Sequence, residues 1–121
     1  MAYTKMWSKK EYEKLDKGIR FPVKVLHAAG LETCQSCEGG KGHAYELPTI
    51  EMISRDSDAD GFAALAVLAH YGIEVFSIGI QWPIKNWMPY EKNWRIELVR
   101  TYPERAHETP MFISNFTSID G

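Results

Sequence analysis

The sequence has few cysteines, no long apolar run and no marked excess of charge of either sign. Its two cysteines, Cys34 and Cys37, are too few for the disulfide framework of a small secreted domain. No segment approaches the roughly 18 apolar residues of a membrane span, and the opening residues lack the apolar core of a secretion signal. Acidic residues outnumber basic ones 16 to 14, so no global positive field favours nonspecific nucleic-acid binding. We therefore predict a cytoplasmic protein without membrane association.

Length and composition are typical of one compact domain, with 121 residues of which 45% are hydrophobic. The pattern predicts a single α+β domain in which two N-terminal helices precede a ββαββ unit, with helices on one face of a mostly antiparallel four-stranded sheet. Helices are predicted over 8–17, 22–29 and 58–71, and strands over 31–37, 49–55, 73–82 and 94–102. We expect a core over about 8–102 and a C-terminal extension over 103–121.

Two local signals make specific predictions about the helices. Ser8 and Glu11 fit a capping box, and Trp7 and Tyr12 are spaced as its hydrophobic staple. The helix over 58–71 is apolar nearly all round, so we expect little of its surface to be exposed.

The strand over 73–82 should place its larger apolar side chains on one face. These are Phe76, Ile78, Ile80 and Trp82.

The stretch over 33–48, TCQSCEGGKGHAYELP, is the strongest candidate for a functional site. Three glycines allow positive φ and let backbone amides point at a guest, while Lys41 and His43 add charge and hydrogen bonds. The leading hypothesis is a non-catalytic site for a nucleotide-like or phosphate-bearing ligand. Its predicted residues are Ser36, Cys37, Gly39, Gly40, Lys41, Gly42 and His43. GGKGH is not a Walker motif, and a flexible hairpin tip is the alternative interpretation.

The same stretch contains side chains that ligate metals. Cys34, Cys37 and His43, with His27 as a fourth ligand, predict a zinc site, because thiolates and imidazoles suit that ion. Against this, cysteines three positions apart on a regular strand point to opposite faces, and the alternative interpretation of Cys34 is a small buried hydrophobe. Nucleophilic catalysis by Cys37 with His43 as base is a further interpretation. Because no separate acid or oxyanion feature is visible, we favour a non-enzymatic protein.

A calcium loop is the weakest of the metal hypotheses. Asp56, Asp58, Asp60 and Gly61 match the opening DxDxDG of an EF-hand loop, but Val67 stands where the closing glutamate belongs. Carboxylates near a helix N-terminus are the simpler explanation, because the helix dipole favours them there.

A second candidate surface is the segment over 85–93, which we predict to be a projecting loop. Trp94 falls in phase with a core strand, whereas Trp87, Met88 and Tyr90 lie between prolines and have the composition of a contact surface. This predicts, as an alternative function, a module that binds another protein.

The segment over about 22–102 resembles a group of small bacteriophage and prophage proteins that carry a Thr-x-x-Ser-Cys-x-Gly-Gly-x-Gly-His motif. The matching residues are Gly30, Thr33, Ser36, Cys37, Gly39, Gly40, Gly42, His43 and Pro48. The resemblance implies a phage-type accessory protein, and by analogy a host-defence component as the partner of the 85–93 loop. It implies no particular activity.

Overall fold

The computed structural model describes residues 6–53, 57–81, 84–89 and 93–103. The helices are α1 (Lys9–Glu13), α2 (Arg20–Ala28) and α3 (Ser57–His70). The strands are β1 (Thr33–Cys37), β2 (Thr49–Ile53), β3 (Val75–Gln81), β4 (Ile84–Lys85), β5 (Met88–Pro89) and β6 (Asn93–Leu98). Within these ranges, no helix has both the length and the apolar character needed to cross a bilayer.

The predicted α+β class and the four-stranded antiparallel sheet are confirmed. Strand order is β1-β2-β6-β3, and every neighbouring pair is antiparallel, while β4 and β5 form a separate two-stranded pair. Helix α2 contacts α3 and β1, and α3 also contacts β3. The placement of all helices on one face stays a prediction.

Alternate residues of β2 and β6 build the sheet side of the core. Ile50 pairs with Ile96 and Met52 pairs with Trp94, so these side chains share one face. Ile50, Met52 and Ile96 are fully buried in one cluster with apolar residues of α2 and α3. Burying each such side chain contributes about 1.5–3 kcal/mol, so this cluster dominates the stability of the domain.

The N-terminal capping box forms as predicted. The Ser8 hydroxyl accepts a hydrogen bond from the Glu11 backbone amide at 3.3 Å, and the Glu11 carboxylate accepts one from the Ser8 backbone amide at 3.0 Å. Trp7 and Tyr12 complete the staple, with ring centroids 5.4 Å apart.

Helix α1 nevertheless ends at Glu13, well before the predicted residue 17. The Arg20 guanidinium donates hydrogen bonds to the carbonyls of Glu13 at 2.8 Å and Leu15 at 3.0 Å. These carbonyls are therefore satisfied by a side chain of the next helix rather than by further helical turns.

Two predictions about exposure are wrong. The register of β3 shifts between Val75 and Ser77, and Phe76 at this irregularity is 66% exposed instead of lying beside Ile78. Helix α3 also leaves one flank uncovered, since Phe62 is 60% exposed. Periodicity alone shows neither a strand irregularity nor which flank of a helix the neighbouring elements leave uncovered. Trp82 lies outside the described residues.

The segment over 85–93, predicted as a projecting loop, contains part of a short two-stranded hairpin. Strands β4 and β5 are joined by a two-residue turn, Asn86–Trp87, with φ of 53° and 65°. Positive φ at both positions is what a tight hairpin turn of the I′ type requires. The described part of this predicted loop is therefore a short hairpin, and its projection from the domain stays a prediction. Tyr90 lies outside the described residues.

Candidate functional site

Cys37 and His43 come together at the end of β1. Cys37 is the last residue of that strand, and the turn that follows brings His43 back so that its Nδ1 lies 3.5 Å from the Cys37 sulfur. Gly39, Gly40 and Gly42 all have positive φ, and the His43 amide donates to the Gly40 carbonyl at 3.1 Å. The glycines therefore allow the reversal that pairs the thiol with the imidazole.

Two backbone amides of the turn, those of Gly40 and His43, are hydrogen-bonded within it. The Gly40 amide donates to the carbonyls of Tyr45 and Glu46 at 3.1 and 3.0 Å. A Cβ on Gly39 would lie 2.5 Å from the Leu47 backbone, so this approach requires glycine. The amides of Gly40 and His43 are thus already bonded within the turn, which weakens the predicted phosphate cradle.

Asp16 is a third member of the site that sequence reasoning missed. It lies in the connection between α1 and α2, and its Oδ2 is 3.8 Å from His43 Nδ1. The same oxygen accepts a hydrogen bond from the Glu38 backbone amide at 3.2 Å, which holds the Asp16 carboxylate beside the turn. No motif spacing joins position 16 to the glycine turn, so the sequence carried no signal for it.

Glu38 was also missed, although it lies inside the predicted stretch. Its Oε1 accepts the Gly18 amide at 2.9 Å, and its Oε2 lies 3.9 Å from His43 Nε2. A Cβ on Gly18 would lie 2.7 Å from Thr101, so glycine permits the close approach of the helix connection. Both nitrogens of the imidazole therefore have a carboxylate nearby.

One donor atom from each of Asp16, Cys37 and His43 lies within 4.8 Å of the other two. The side chains of Asp16 and His43 are 41% and 33% exposed, so the cluster opens to solvent. Thiolate, imidazole and carboxylate are the three ligand types that zinc accepts in proteins. The arrangement can hold a metal ion.

The far side of the turn is anchored to the sheet by Tyr45. Its hydroxyl donates to Glu51 Oε2 at 3.1 Å, and the Arg95 guanidinium lies over its ring at 5.1 Å and also donates to Glu51 Oε2 at 3.3 Å. Burial, followed by this hydrogen bond to Glu51, raises the pKa of Tyr45. The anchor restricts the path of the turn that carries His43.

Cys34 lies apart from this cluster. Its thiol donates to the Glu51 carbonyl at 3.5 Å, and Asn93 Nδ2 donates to its sulfur at 3.8 Å. Burial of the sulfur and the nearby Glu51 carboxylate raise the pKa of the Cys34 thiol, although the residue as a whole is exposed. Cys34 is therefore held as a protonated thiol away from His43.

His27 lies in the core, 1% exposed, and does not join the other predicted ligands. Its Nδ1 is 2.8 Å from the Tyr12 hydroxyl and its Nε2 is 2.9 Å from the Thr33 hydroxyl. Burial lowers its pKa from 6.5 to about 4. Of the four predicted zinc ligands, the structure brings together only Cys37 and His43, and it adds Asp16.

The other predicted site residues are spread over the surface and the strands. Ser36 precedes Cys37 in β1 and so points to the opposite face, while Lys41 is exposed at the tip of the turn. Trp87 is 95% exposed. Asp60 and Gly61 belong to α3 rather than to a loop, which removes the basis for an EF-hand.

Comparisons with protein-family models, with curated proteins and with solved structures find no match for this chain. The resemblance to small phage proteins stays a prediction.

Proposed function

We propose that this protein binds a transition-metal ion, and zinc by preference, through Asp16 Oδ2, Cys37 Sγ and His43 Nδ1. The observation that supports this most is the spacing of the three donors. The Cys37 sulfur is 3.5 Å from His43 Nδ1, which is 3.8 Å from Asp16 Oδ2. Around a tetrahedral zinc ion with bonds of about 2.0–2.3 Å, neighbouring ligand atoms lie about 3.4–3.6 Å apart. Small side-chain movements would bring all three donors to bonding distance.

The surroundings of these ligands support the same assignment. Metal-binding histidines usually direct their second ring nitrogen to a carboxylate, which sets the tautomer. His43 Nε2 faces Glu38 at 3.9 Å, and Glu38 is itself oriented by the Gly18 amide. Asp16 is oriented by the Glu38 amide. Asp16 and the carboxylate that faces His43 are therefore each held in place by a further contact.

Charge favours a cation over the phosphate-bearing ligand of the leading sequence hypothesis. Asp16 and Glu38 place two carboxylates within 4 Å of the imidazole, and they would repel an anion. The turn amides of Gly40 and His43 donate within the turn. A phosphate-bearing guest at this site would therefore bind to the metal ion rather than to the glycine amides.

Three protein ligands leave a coordination position open to solvent. Structural zinc sites are closed by four protein ligands, whereas sites that bind a water or a guest keep one position free. With Asp16 41% exposed, the cluster belongs to the second kind. The open position is where a small anionic or neutral ligand would coordinate.

A thiol nucleophile is the second candidate, favoured by the same 3.5 Å contact between Cys37 and His43. With Glu38 beside Nε2, the three residues have the order of nucleophile, base and orienting acid. The two candidates are separable because an ion bound to the thiolate would block its alkylation.

Zinc titration of chelator-treated protein tests the metal proposal. We expect one equivalent to bind, with release of protons at neutral pH. Cys37→Ser, His43→Gln and Asp16→Asn should each weaken binding at least about tenfold. Cys34→Ser and His70→Gln are matched controls that should leave it unchanged. Binding of less than a tenth of an equivalent, or equal losses in the Cys34 and Cys37 variants, would refute the proposal.

Alkylation of Cys37 by iodoacetamide tests the thiol candidate. If His43 acts as a base, His43→Gln should slow the alkylation of Cys37 in metal-free protein at neutral pH. An unchanged rate would exclude this role. Protection by added zinc would support the metal site instead.

A further inference from the structure

The face of the sheet that points away from the core carries polar side chains. In β6, Ile96 and Leu98 are buried in the hydrophobic cluster, so the alternating residues of this strand lie on the opposite face. These residues are Asn93, Arg95 and Glu97, and their register partners in β3 are Gln81, Gly79 and Ser77. A pocket of about 210 Å³ opens on this polar face between Arg95, Glu97 and the segment over 77–81.

Gly79 lines this pocket at a position where the strand itself does not require glycine. A Cβ built on it would have no heavy atom of the described residues within 4 Å, and its φ is outside the left-handed region. The irregularity of β3 lies between Val75 and Ser77 rather than at Gly79. Because glycine weakens the interior of a strand, it is typical of a bulge or of a place where a ligand or another backbone approaches closely. The open space above Gly79 is therefore suited to a guest.

Arg95 and Glu97 line the pocket with opposite charges that do not pair with each other. Arg95 Nη2 donates to Glu51 Oε2 at 3.3 Å, whereas Glu97 Oε1 accepts a hydrogen bond from the Ser77 hydroxyl at 2.5 Å. In the described part of the chain no ion pair joins Arg95 to Glu97, although residues two apart on one strand face are separated by only about 6.8 Å. The pocket therefore presents a cation and an anion side by side, each held by a different neighbour.

Two buried polar atoms on the same face lack hydrogen-bond partners. Asn93 Nδ2 donates to Glu51 Oε1 at 3.4 Å and to the Cys34 sulfur at 3.8 Å, so the amide oxygen of Asn93 faces away from Glu51. This Oδ1 and the Nε of Arg95 are shielded from solvent and have no partner among the described residues. Buried donors and acceptors nearly always have a partner in the protein, in water or in a ligand. Since the Arg95 side chain is 39% exposed, a small rotation would turn its Nε into the pocket.

We propose that this pocket binds a free α-amino acid, with the carboxylate of the guest on Arg95 and its ammonium group on Glu97. The two carboxylates of Glu51 and Glu97 outweigh the one guanidinium, which disfavours a simple anion, whereas a zwitterion meets both charges with their complements. Pockets for drug-sized ligands measure about 300–1,000 Å³, so a pocket of about 210 Å³ suits a smaller guest.

The pocket is separate from the proposed metal site. Cys37 lies on β1 and Gly79 on β3, at opposite edges of the four-stranded sheet. Three strand spacings of about 4.8 Å put the two strands about 14 Å apart. Amino-acid binding and metal binding can therefore be tested independently.

Heteronuclear NMR titration of the full chain with free alanine tests the proposal. We expect saturable shifts of the Gly79 amide and Arg95 Nε–H signals. Propionate lacks the ammonium group of alanine and ethylamine lacks its carboxylate, so each should bind at least about tenfold more weakly. Gly79→Val, which fills the pocket, and Glu97→Gln, which removes the anion, should each raise the Kd for alanine at least about tenfold. Gln35→Val, at an exposed position of β1, is the matched control and should leave the Kd unchanged.

Three results would overturn the proposal. The first is that neither alanine nor any other standard amino acid shifts these signals at about 10 mM, which would leave the two buried atoms to water. The second is equal affinity for alanine and propionate, and the third is an unchanged Kd in Gly79→Val. Cys37→Ser should keep the affinity for alanine, whereas its loss there would place the guest on the metal ion and contradict the pocket. The spectrum of each variant also shows whether it is folded, so lost binding is distinguished from lost structure.

Discussion

Acid should destabilise this protein through one buried histidine, His27. Its ring is neutral in the folded state, with Nδ1 lying 2.8 Å from the Tyr12 hydroxyl and Nε2 lying 2.9 Å from the Thr33 hydroxyl, so one ring nitrogen donates and the other accepts. Trp7 packs against the ring at a centroid distance of 4.7 Å. A protonated ring would carry its charge in the core and would turn its one accepting nitrogen into a second donor. Burial therefore lowers its pKa to about 4, and the nearby Glu11 carboxylate offsets only part of this effect.

The sign and size of the effect follow from proton linkage. Because the folded-state pKa is below the unfolded value of 6.5, the stabilising contribution is complete above pH 6.5 and is lost as the pH falls toward 4. The gap of about 2.5 corresponds to about 3 kcal/mol, of which about 2 kcal/mol is lost by pH 5. Small domains have a total stability of about 5–15 kcal/mol, so this loss is large enough to measure.

Urea unfolding followed by tryptophan fluorescence between pH 7 and 5 measures this loss. Carboxylates titrate mainly below this window, so His27 should account for most of the slope. His27→Gln should lower the free energy of unfolding at pH 7 and flatten the pH dependence, whereas His70→Gln, at an exposed position, should keep the slope. If wild type and His27→Gln lose stability in parallel between pH 7 and 5, the reasoning from burial is wrong.

Three glycine substitutions test close contacts and backbone strain in the fold. Gly39→Ala should lower the free energy of unfolding by about 1–3 kcal/mol, because φ is +78° and the new Cβ would lie 2.5 Å from backbone. Gly40→Ala, at φ +98° in open space, tests strain alone and should cost less. Gly61→Ala lies within α3, where this change ordinarily stabilises by about 1 kcal/mol, but the Cβ would lie 2.7 Å from the Trp94 ring. We therefore expect a lower melting temperature. Equal melting temperatures for the first two variants, or a higher one for the third, would contradict these contacts.

Secondary structure followed from local signals where those signals were strong. The capping box at Ser8 specified the start of α1, and β-branched residues with alternating polarity specified β2. The end of α1 was wrong because Arg20, a residue of another helix, satisfies its last carbonyls. The exposure of Phe76 was wrong because a strand irregularity is not visible in an alternating pattern.

Only part of the candidate site could be predicted from the sequence. The glycine spacing correctly marked the turn that carries His43, and Cys37 lies against it. The predicted ligands Cys34 and His27 lie elsewhere, in contact with Glu51 and Tyr12. Residue type and closeness in sequence therefore did not identify which side chains join His43.

Sequence alone indicated the start of α1, the presence of α2 and α3, the four strands of the main sheet and the reversing turn, because capping, periodicity and glycine conformation act within a few residues. Only the tertiary structure decided which side chains meet at that turn. Asp16 reaches His43 because the α1–α2 connection packs beside the end of β1, with Gly18 close to Glu38 and Thr101. Such contacts depend on how distant segments pack in three dimensions, and no local pattern of residues encodes them.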